Sequence, residues 1–221
     1  MPRALTGLAA SCLLATAVHA GTDPGPGTAP RMEFEPLAPG TYRLPVIQGV
    51  ADARLLDMRG HEVSLRQLTR GKITLLTFFY TYCVEPLGCT FAHQTLTQLR
   101  DRILGDPALA RSVRFVGISC DPSNDTPATL AAYAREFDSA PRFEWQFLTA
   151  RSVPELLPVL DDFGQDVSVD VDARGRPTRA LHHMLKVFLI DRRGKVREIY
   201  SLAYLQPPVI LNDIRTLYLQ R

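Results

Sequence analysis

The sequence predicts an α/β domain with a buried sheet. Three observations carry that expectation. The continuous run of β-branched, leucine and aromatic residues at 73–80, and the segment Val113-Arg114-Phe115-Val116-Gly117-Ile118, have the length and character of buried strands. Between them lies a segment whose apolar residues repeat at helical spacing. Near the C-terminus, Asp191-Arg192-Arg193-Gly194 separates two further strand-like runs, as the turn of a hairpin does.

Taken in order, Leu55-Leu56-Asp57 and Val63-Ser64-Leu65 read as two short strands around a turn carrying Gly60. The run at 73–80 is a buried strand, and Cys83 follows it almost directly. Over 90–104, Ala92, Leu96, Leu99 and Ile103 fall at i, i+4, i+7 and i+11, one face of a helix. The run at 113–118 is a second buried strand. Asp125-Thr126-Pro127 caps a second helix, with Pro at its first position and Leu130, Ala134 and Phe137 on one face. A third strand is expected at 145–148 and a short helix at 154–163. Strands at 184–190 and 196–200 flank the Gly194 turn, and an amphipathic helix over 208–220 closes the chain. Strand and helix thus alternate as β-α-β-α-β-β-α after a small N-terminal hairpin, which is the thioredoxin-like arrangement.

Composition narrows the function classes. The 221 residues carry 25 Lys+Arg against 23 Asp+Glu, a formal net charge of +2. A nucleic-acid binder usually concentrates a basic excess, which this near balance lacks. Four cysteines are too few for a disulfide scaffold, and a chain of this length buries a core without one. Cysteine chemistry is therefore expected to be local. Residues 1–20 read as a signal peptide: Arg3 is the only charge before an apolar run, and Val18-His19-Ala20 offers a small-residue exit before Gly21. The alternatives are an uncleaved N-terminal anchor or lipidation at Cys12, although the apolar run continues past Cys12. Export places the thiols in an oxidising compartment, periplasmic or elsewhere in the cell envelope. Residues 21–43 are rich in Gly, Pro and Thr and read as a flexible lead-in, leaving 44–221 as the folded domain.

The informative segment is Tyr80-Thr81-Tyr82-Cys83-Val84-Glu85-Pro86-Leu87-Gly88-Cys89-Thr90. Two thiols stand between a buried strand and a helix. Cys89 is close to the helix N-terminus, where unpaired N–H groups and the positive end of the helix dipole favour a thiolate. A thiolate is both a nucleophile and a soft metal ligand, so redox work, metal binding and a simple structural disulfide all remain open. Pro86 and Gly88 let the spacer turn back. His182-His183 precedes the 184–190 strand, and neighbours in extended chain face opposite ways, so one of the two can face the thiols. Two sulfurs and one imidazole suit Cu(I) and can hold Cu(II), whereas zinc wants a fourth ligand. His93, four residues after Cys89, is on the same side of the helix and is a candidate fourth ligand; an exposed surface histidine is the expected reading. Glu85 is expected to be a solvated carboxylate, and Cys120 a small buried hydrophobe or else a third competing thiol.

Over 44–219 the chain resembles the SCO/SenC family of copper-binding, thioredoxin-like proteins. The resemblance rests on Leu56-Asp57, Gly60, Ser64-Leu65, Gly71-Lys72, Thr81-Tyr82-Cys83 and Asp121-Pro122-Ser123-Asn124-Asp125-Thr126-Pro127, followed by Leu130 and Tyr133. Trp145, Phe147-Leu148-Thr149 and Phe163-Gly164 also fit. The resemblance implies a copper site of Cys83, Cys89 and His183; the histidine follows by counting five residues back from Phe188 in Phe188-Leu189-Ile190-Asp191, and His182 stands where the family usually has Asp. Two departures are plain. The usual Cys-x3-Cys is Cys-x5-Cys here, and Thr90 replaces the Pro expected after the second Cys. The implied function is a copper metallochaperone that passes its ion to a respiratory oxidase copper centre and needs a thiol reductant. The alternative is a thiol-disulfide oxidoreductase using the Cys83–Cys89 pair. Against it, the chain has no Cys-x-x-Cys and no Pro immediately before the 184–190 run. A peroxidase reading gives His183 no role.

Overall fold

The segments at 73–80 and 113–118 form the centre of a six-stranded sheet. In the computed structural model, which describes residues 31–83, 85–137 and 143–220, β4 (Ile73–Phe79) and β5 (Val113–Ser119) pair in parallel, Ile73 opposite Val113 and Phe79 opposite Ser119. Every residue of both strands is buried, which is why neither run alternates polar with apolar. β6 (Trp145–Leu148) adds in parallel to β5. On the other side, β9 (Val187–Ile190) runs antiparallel to β4, β10 (Lys195–Tyr200) pairs with β9, and β1 (Gln48–Gly49) forms the edge. The order is β1-β10-β9-β4-β5-β6. The fold is thioredoxin-like, as the alternation of elements predicts.

Helices cover both faces. α2 (Phe91–Leu104) turns its predicted face, Ala92, Leu96, Leu99 and Ile103, into one core with Ile210, Ile214 and Leu217 of α6 (Pro207–Leu219). α3 (Pro107–Ser112), capped by the Asp106 carboxylate accepting from the Ala108 and Leu109 N–H groups, leads into β5. On the opposite face, α5 (Val153–Asp162) and the hairpin of β2 (Arg54–Leu56) and β3 (Glu62–Ser64) bury Leu55, Leu76, Phe78, Ile118, Leu156 and Phe188. Ser64 caps the short α1 (Leu65–Leu68), accepting from the Gln67 N–H. α4 (Pro127–Ala134) begins at Thr126, whose hydroxyl accepts from the Thr129 N–H.

The structure departs from the sequence reading at one place that matters for the site. The strand expected at 184–190 starts only at Val187, and Met184 is exposed. Before it stands an unexpected hairpin, β7 (Val167–Val171) with β8 (Pro177–His183), forming its own two-stranded sheet. Its turn is held by the Asp172 carboxylate, which accepts from the Arg174 and Arg176 N–H groups, and by Gly175 at φ +73°. His182 and His183 therefore end a strand rather than sit in a loop.

The signal-peptide residues 1–20 and the first part of the lead-in, 21–30, lie outside the described residues. The rest of the lead-in lies along α6. Gly40 N–H donates to Thr216 Oγ1 at 2.9 Å, Asn212 Nδ2 donates to the Leu37 carbonyl at 2.9 Å, and Tyr42 Oη donates to Asp213 at 2.5 Å. Among the described residues no helix is long and apolar enough to cross a membrane.

Gly117, in the middle of β5, supports the layer of aromatic rings beneath the site. A Cβ there would stand 3.0 Å from ring carbons of both Phe79 and Phe147, neither of which is a flexible side chain. Gly117→Ala is expected to lose about 1–3 kcal/mol through overpacking. Thermal unfolding checks this: an unchanged midpoint would mean that the rings give way freely.

Candidate metal centre

β4 delivers the chain to the site and stops. After Phe79 the backbone turns, with Cys83 N–H donating to the Tyr80 carbonyl at 3.2 Å. The turn is anchored from below by Asp125. Its carboxylate accepts from Thr81 N–H at 3.0 Å, from Thr81 Oγ1 at 2.5 Å and from Ser119 Oγ at 2.5 Å. Asp125 thus does not cap α4, as its place before Thr126-Pro127 suggests; it is buried and locks the cysteine turn to the end of β5. The spacer then closes in a wide helical turn, Pro86–Thr90, that runs into α2. Gly88 is needed there, because a Cβ would stand 3.0 Å from Glu85 Cβ and 3.5 Å from Cys83 Sγ. The longer loop persists at little entropic cost, since two extra residues add roughly a few tenths of a kcal/mol to closure. Glu85 is exposed, as expected.

The turn brings the two thiols together, and among the described residues Cys83, Cys89 and Cys120 are free. Cys83 is half-buried and Cys89 only 4% exposed. The Cys89 thiol donates toward the Cys83 sulfur, which also receives the backbone N–H groups of Cys89 and Glu85 and the Tyr80 hydroxyl. These donors hold the Cys83 thiol well below its ordinary pKa, while the same hydrogen bond and burial push Cys89 up. The thiolate therefore forms first at Cys83, not at Cys89 as the helix N-terminus suggested. The loop aims its N–H groups at the first cysteine, a detail the spacing does not reveal. Cys120 is the small buried residue expected, its thiol pushed up to about 12 by burial and by the carboxylates of Asp125 and Asp121.

β8 supplies the imidazole. His183 Nε2 lies 3.9 Å from Cys89 Sγ. Its Nδ1 lies 3.4 Å from the Met184 carbonyl, which can only accept, so Nδ1 carries the proton and Nε2 presents its lone pair to the thiols. Burial keeps the ring neutral. His182 falls on the other face of the strand, exposed and 3.5 Å from Asp170, as the alternation requires. Tyr80 fastens this strand to the thiol turn: its hydroxyl accepts from Leu181 N–H at 3.2 Å. Arg179 adds a second tie, its guanidinium 4.5 Å from the Tyr82 ring centre.

A trigonal ion about 2.3 Å from sulfur and about 2.0 Å from nitrogen would set S and N roughly 3.7 Å apart. The Cys89–His183 separation matches that span, and the donor set of two sulfurs and one neutral imidazole suits a soft ion. Cys89 is the link, in contact with Cys83 on one side and with His183 on the other. Among the described residues no cluster of three or more His, Cys, Asp and Glu side chains already converges on one point.

His93 corrects the sequence reading. It is 5% exposed, not a surface residue. Its ring is packed among Phe79, Tyr133, Phe137, Trp145 and Phe147. The aromatic residues of α4 and β6 that surround it carry the signal that sequence reasoning missed.

A thioredoxin-like sheet with a close thiol pair after its central strand and an imidazole from the opposite side defines a class of thiol- and metal-handling domains. This chain belongs to the SCO1/SenC family, whose model matches residues 49–219. The SCO1 protein homolog of Bacillus subtilis is 26% identical over 162 residues, covering 71% of this chain and 76% of that protein. The copper-bound structure of Bradyrhizobium japonicum ScoI is 26% identical, with a TM-score of 0.61 over 76% of this chain and 98% of that one. The copper-bound Arabidopsis thaliana ScoI, 21% identical with a TM-score of 0.65 over 78% of this chain and 99% of that one, shares the fold.

Proposed function

We propose that this protein is a copper metallochaperone of the cell envelope, exported by its 1–20 leader, whose domain at 44–221 carries one ion on Cys83, Cys89 and His183. The observation that carries the reading is the 3.9 Å approach of His183 Nε2 to Cys89 Sγ, beside a Cys83 sulfur already surrounded by donors. The copper-bound ScoI of Bradyrhizobium japonicum supports the choice of ion. Copper is cargo here: it leaves by ligand exchange to an acceptor, for which a respiratory oxidase copper centre is the proposed partner. Cys83, half-exposed, is the ligand an incoming donor meets first, whereas Cys89 and His183 hold from within.

An anaerobic Cu(I) titration of the reduced protein against a competing chelator tests this. One equivalent is expected. His183→Ala is expected to weaken binding by about 10²-fold, the loss of one of a few strong ligands. His182→Ala leaves it nearly unchanged. Equal losses in both variants would sink the assignment.

The free thiols also support a second reading, a thiol-disulfide oxidoreductase acting through a Cys83 thiolate. The two differ in stoichiometric copper uptake. They share one consequence: oxidation to a Cys83–Cys89 disulfide removes both sulfur ligands, so a thiol reductant must act before loading.

A further inference from the structure

One cavity of about 590 Å³ opens beside the thiol pair, and Cys83, Cys89, His93, Tyr133 and Glu136 are among the residues that line it. His93 is out of place there. Its Nε2 is fully buried and has no hydrogen-bond partner among the described residues. Buried polar atoms are nearly always paired, and an orphan costs about 1–3 kcal/mol. Its other nitrogen, Nδ1, lies 2.5 Å from Tyr133 Oη. A ligating histidine is typically held this way, one nitrogen fixed by an outer partner and the other left for the ion.

We propose that His93 is a fourth metal donor, recruited when the ion at the Cys83–Cys89–His183 site is divalent, with Tyr133 as its positioning residue. The proposal rests on the copper-site reading above and adds a ligand to it. A monovalent soft ion is content with two or three soft donors, whereas divalent late first-row ions take four. The fourth must come from a group near the thiols. His93 lies one helical turn beyond Cys89, on the same side, and lines the same cavity. The other donors nearby are poorer: Glu85 is exposed and Glu136 is a solvated carboxylate at the cavity mouth.

Protonation suits the role. Burial drives the His93 pKa down to about 4, so the ring is neutral at neutral pH. In the tautomer where Nδ1–H donates to Tyr133 Oη, Nε2 holds a lone pair. Tyr133 can take that part because a phenol oxygen accepts as readily as it donates.

Cobalt(II) is the probe, because it is divalent, does not oxidise thiols and shifts the ring N–H proton signals of each bound imidazole far from the protein envelope. The reduced protein is loaded with one equivalent and its exchangeable shifted ring N–H signals are counted by proton NMR. Two are expected in the unaltered protein, one in His93→Phe and one in His183→Ala. Tyr133→Phe is expected to bind cobalt about 10–100-fold more weakly. Glu136→Gln should change neither count nor affinity. His93→Phe should fold well, since a phenyl ring fits an aromatic surround and removes the orphan nitrogen. Its Cu(I) affinity should stay within a few-fold. A single signal in the unaltered protein, two signals persisting in His93→Phe, or no cobalt uptake by protein that takes up Cu(I) each overturns the proposal. Failure to take up Cu(I) would instead strike the copper-site reading on which it rests.

Discussion

On the proposed copper site, Cys83→Ser and Cys89→Ser are each expected to lower Cu(I) affinity by about 10²-fold or more, at least as large an effect as that of any other single change there. Structural ions held by four ligands gain about 10–16 kcal/mol, so each strong ligand carries roughly 3 kcal/mol, about 10²-fold in affinity. A serine oxygen does not replace the sulfur, because oxygen is a poor partner for soft Cu(I). The two variants fail for different reasons. Without Cys83 the remaining thiol is buried, and burial still disfavours its thiolate. Without Cys89 the half-buried Cys83 sulfur keeps its backbone donors but loses its partner and the link to His183. Chelator competition with each reduced variant measures both. Affinity within tenfold of the unaltered protein in either would remove that sulfur from the ligand set.

Asp125→Ala is expected to be the most damaging change outside the ligands. It leaves the Ser119 hydroxyl and the Thr81 N–H and hydroxyl without their acceptor at a buried position. Unmatched buried donors cost about 1–3 kcal/mol each, so a loss of about 3 kcal/mol or more follows. For a domain of this size that lowers the unfolding midpoint by about 6–12 °C. The same change frees the turn that presents Cys83, so Cu(I) affinity should fall as well. Asp125→Asn, which keeps one acceptor oxygen, should recover part of both. A midpoint within 2 °C of the unaltered protein, by calorimetry, would show that the carboxylate is dispensable.

The sheet and its helices were legible because their signals are local. The run at 73–80 has the apolar character of a buried strand, Val113, Phe115, Val116 and Ile118 mark the second, and the face Ala92, Leu96, Leu99, Ile103 is buried as its spacing requires. The β7–β8 hairpin was not read. Its strands are half-exposed, with Val169 and Val171 facing solvent, so burial wrote no strong pattern into them; the Val-x-Val run at 167–169 and Asp172 three residues before Gly175 were the faint signals present. At the site, that only one of two adjacent histidines can face the thiols follows from strand alternation, and His183 is the one that lies 3.9 Å from Cys89 Sγ. Which cysteine carries the thiolate was beyond reach, because it depends on where a five-residue loop points its amides. The burial of His93 was missed for a related reason. The helix face it shares with Cys89 is plain in the sequence, but what covers that face comes from α4 and β6, 40 and more residues away.

The hairpin that carries His183 is not part of the main sheet. It is tied to the body by Val167 and Leu181 against the core, by the Tyr80 hydroxyl, by the Arg179 guanidinium on Tyr82, and by Gln165 Nε2, which donates to the Met184 carbonyl at 3.0 Å. A unit so attached opens at a smaller free energy than the global unfolding of the domain. When it opens, the imidazole leaves with it, while both sulfurs belong to the separate turn between β4 and α2. If His183 holds the ion as proposed, the lifetime of the bound state is expected to follow local fraying of β7 and β8, so that the off-rate of the cargo and the amide-hydrogen exchange of the hairpin become two readings of one motion.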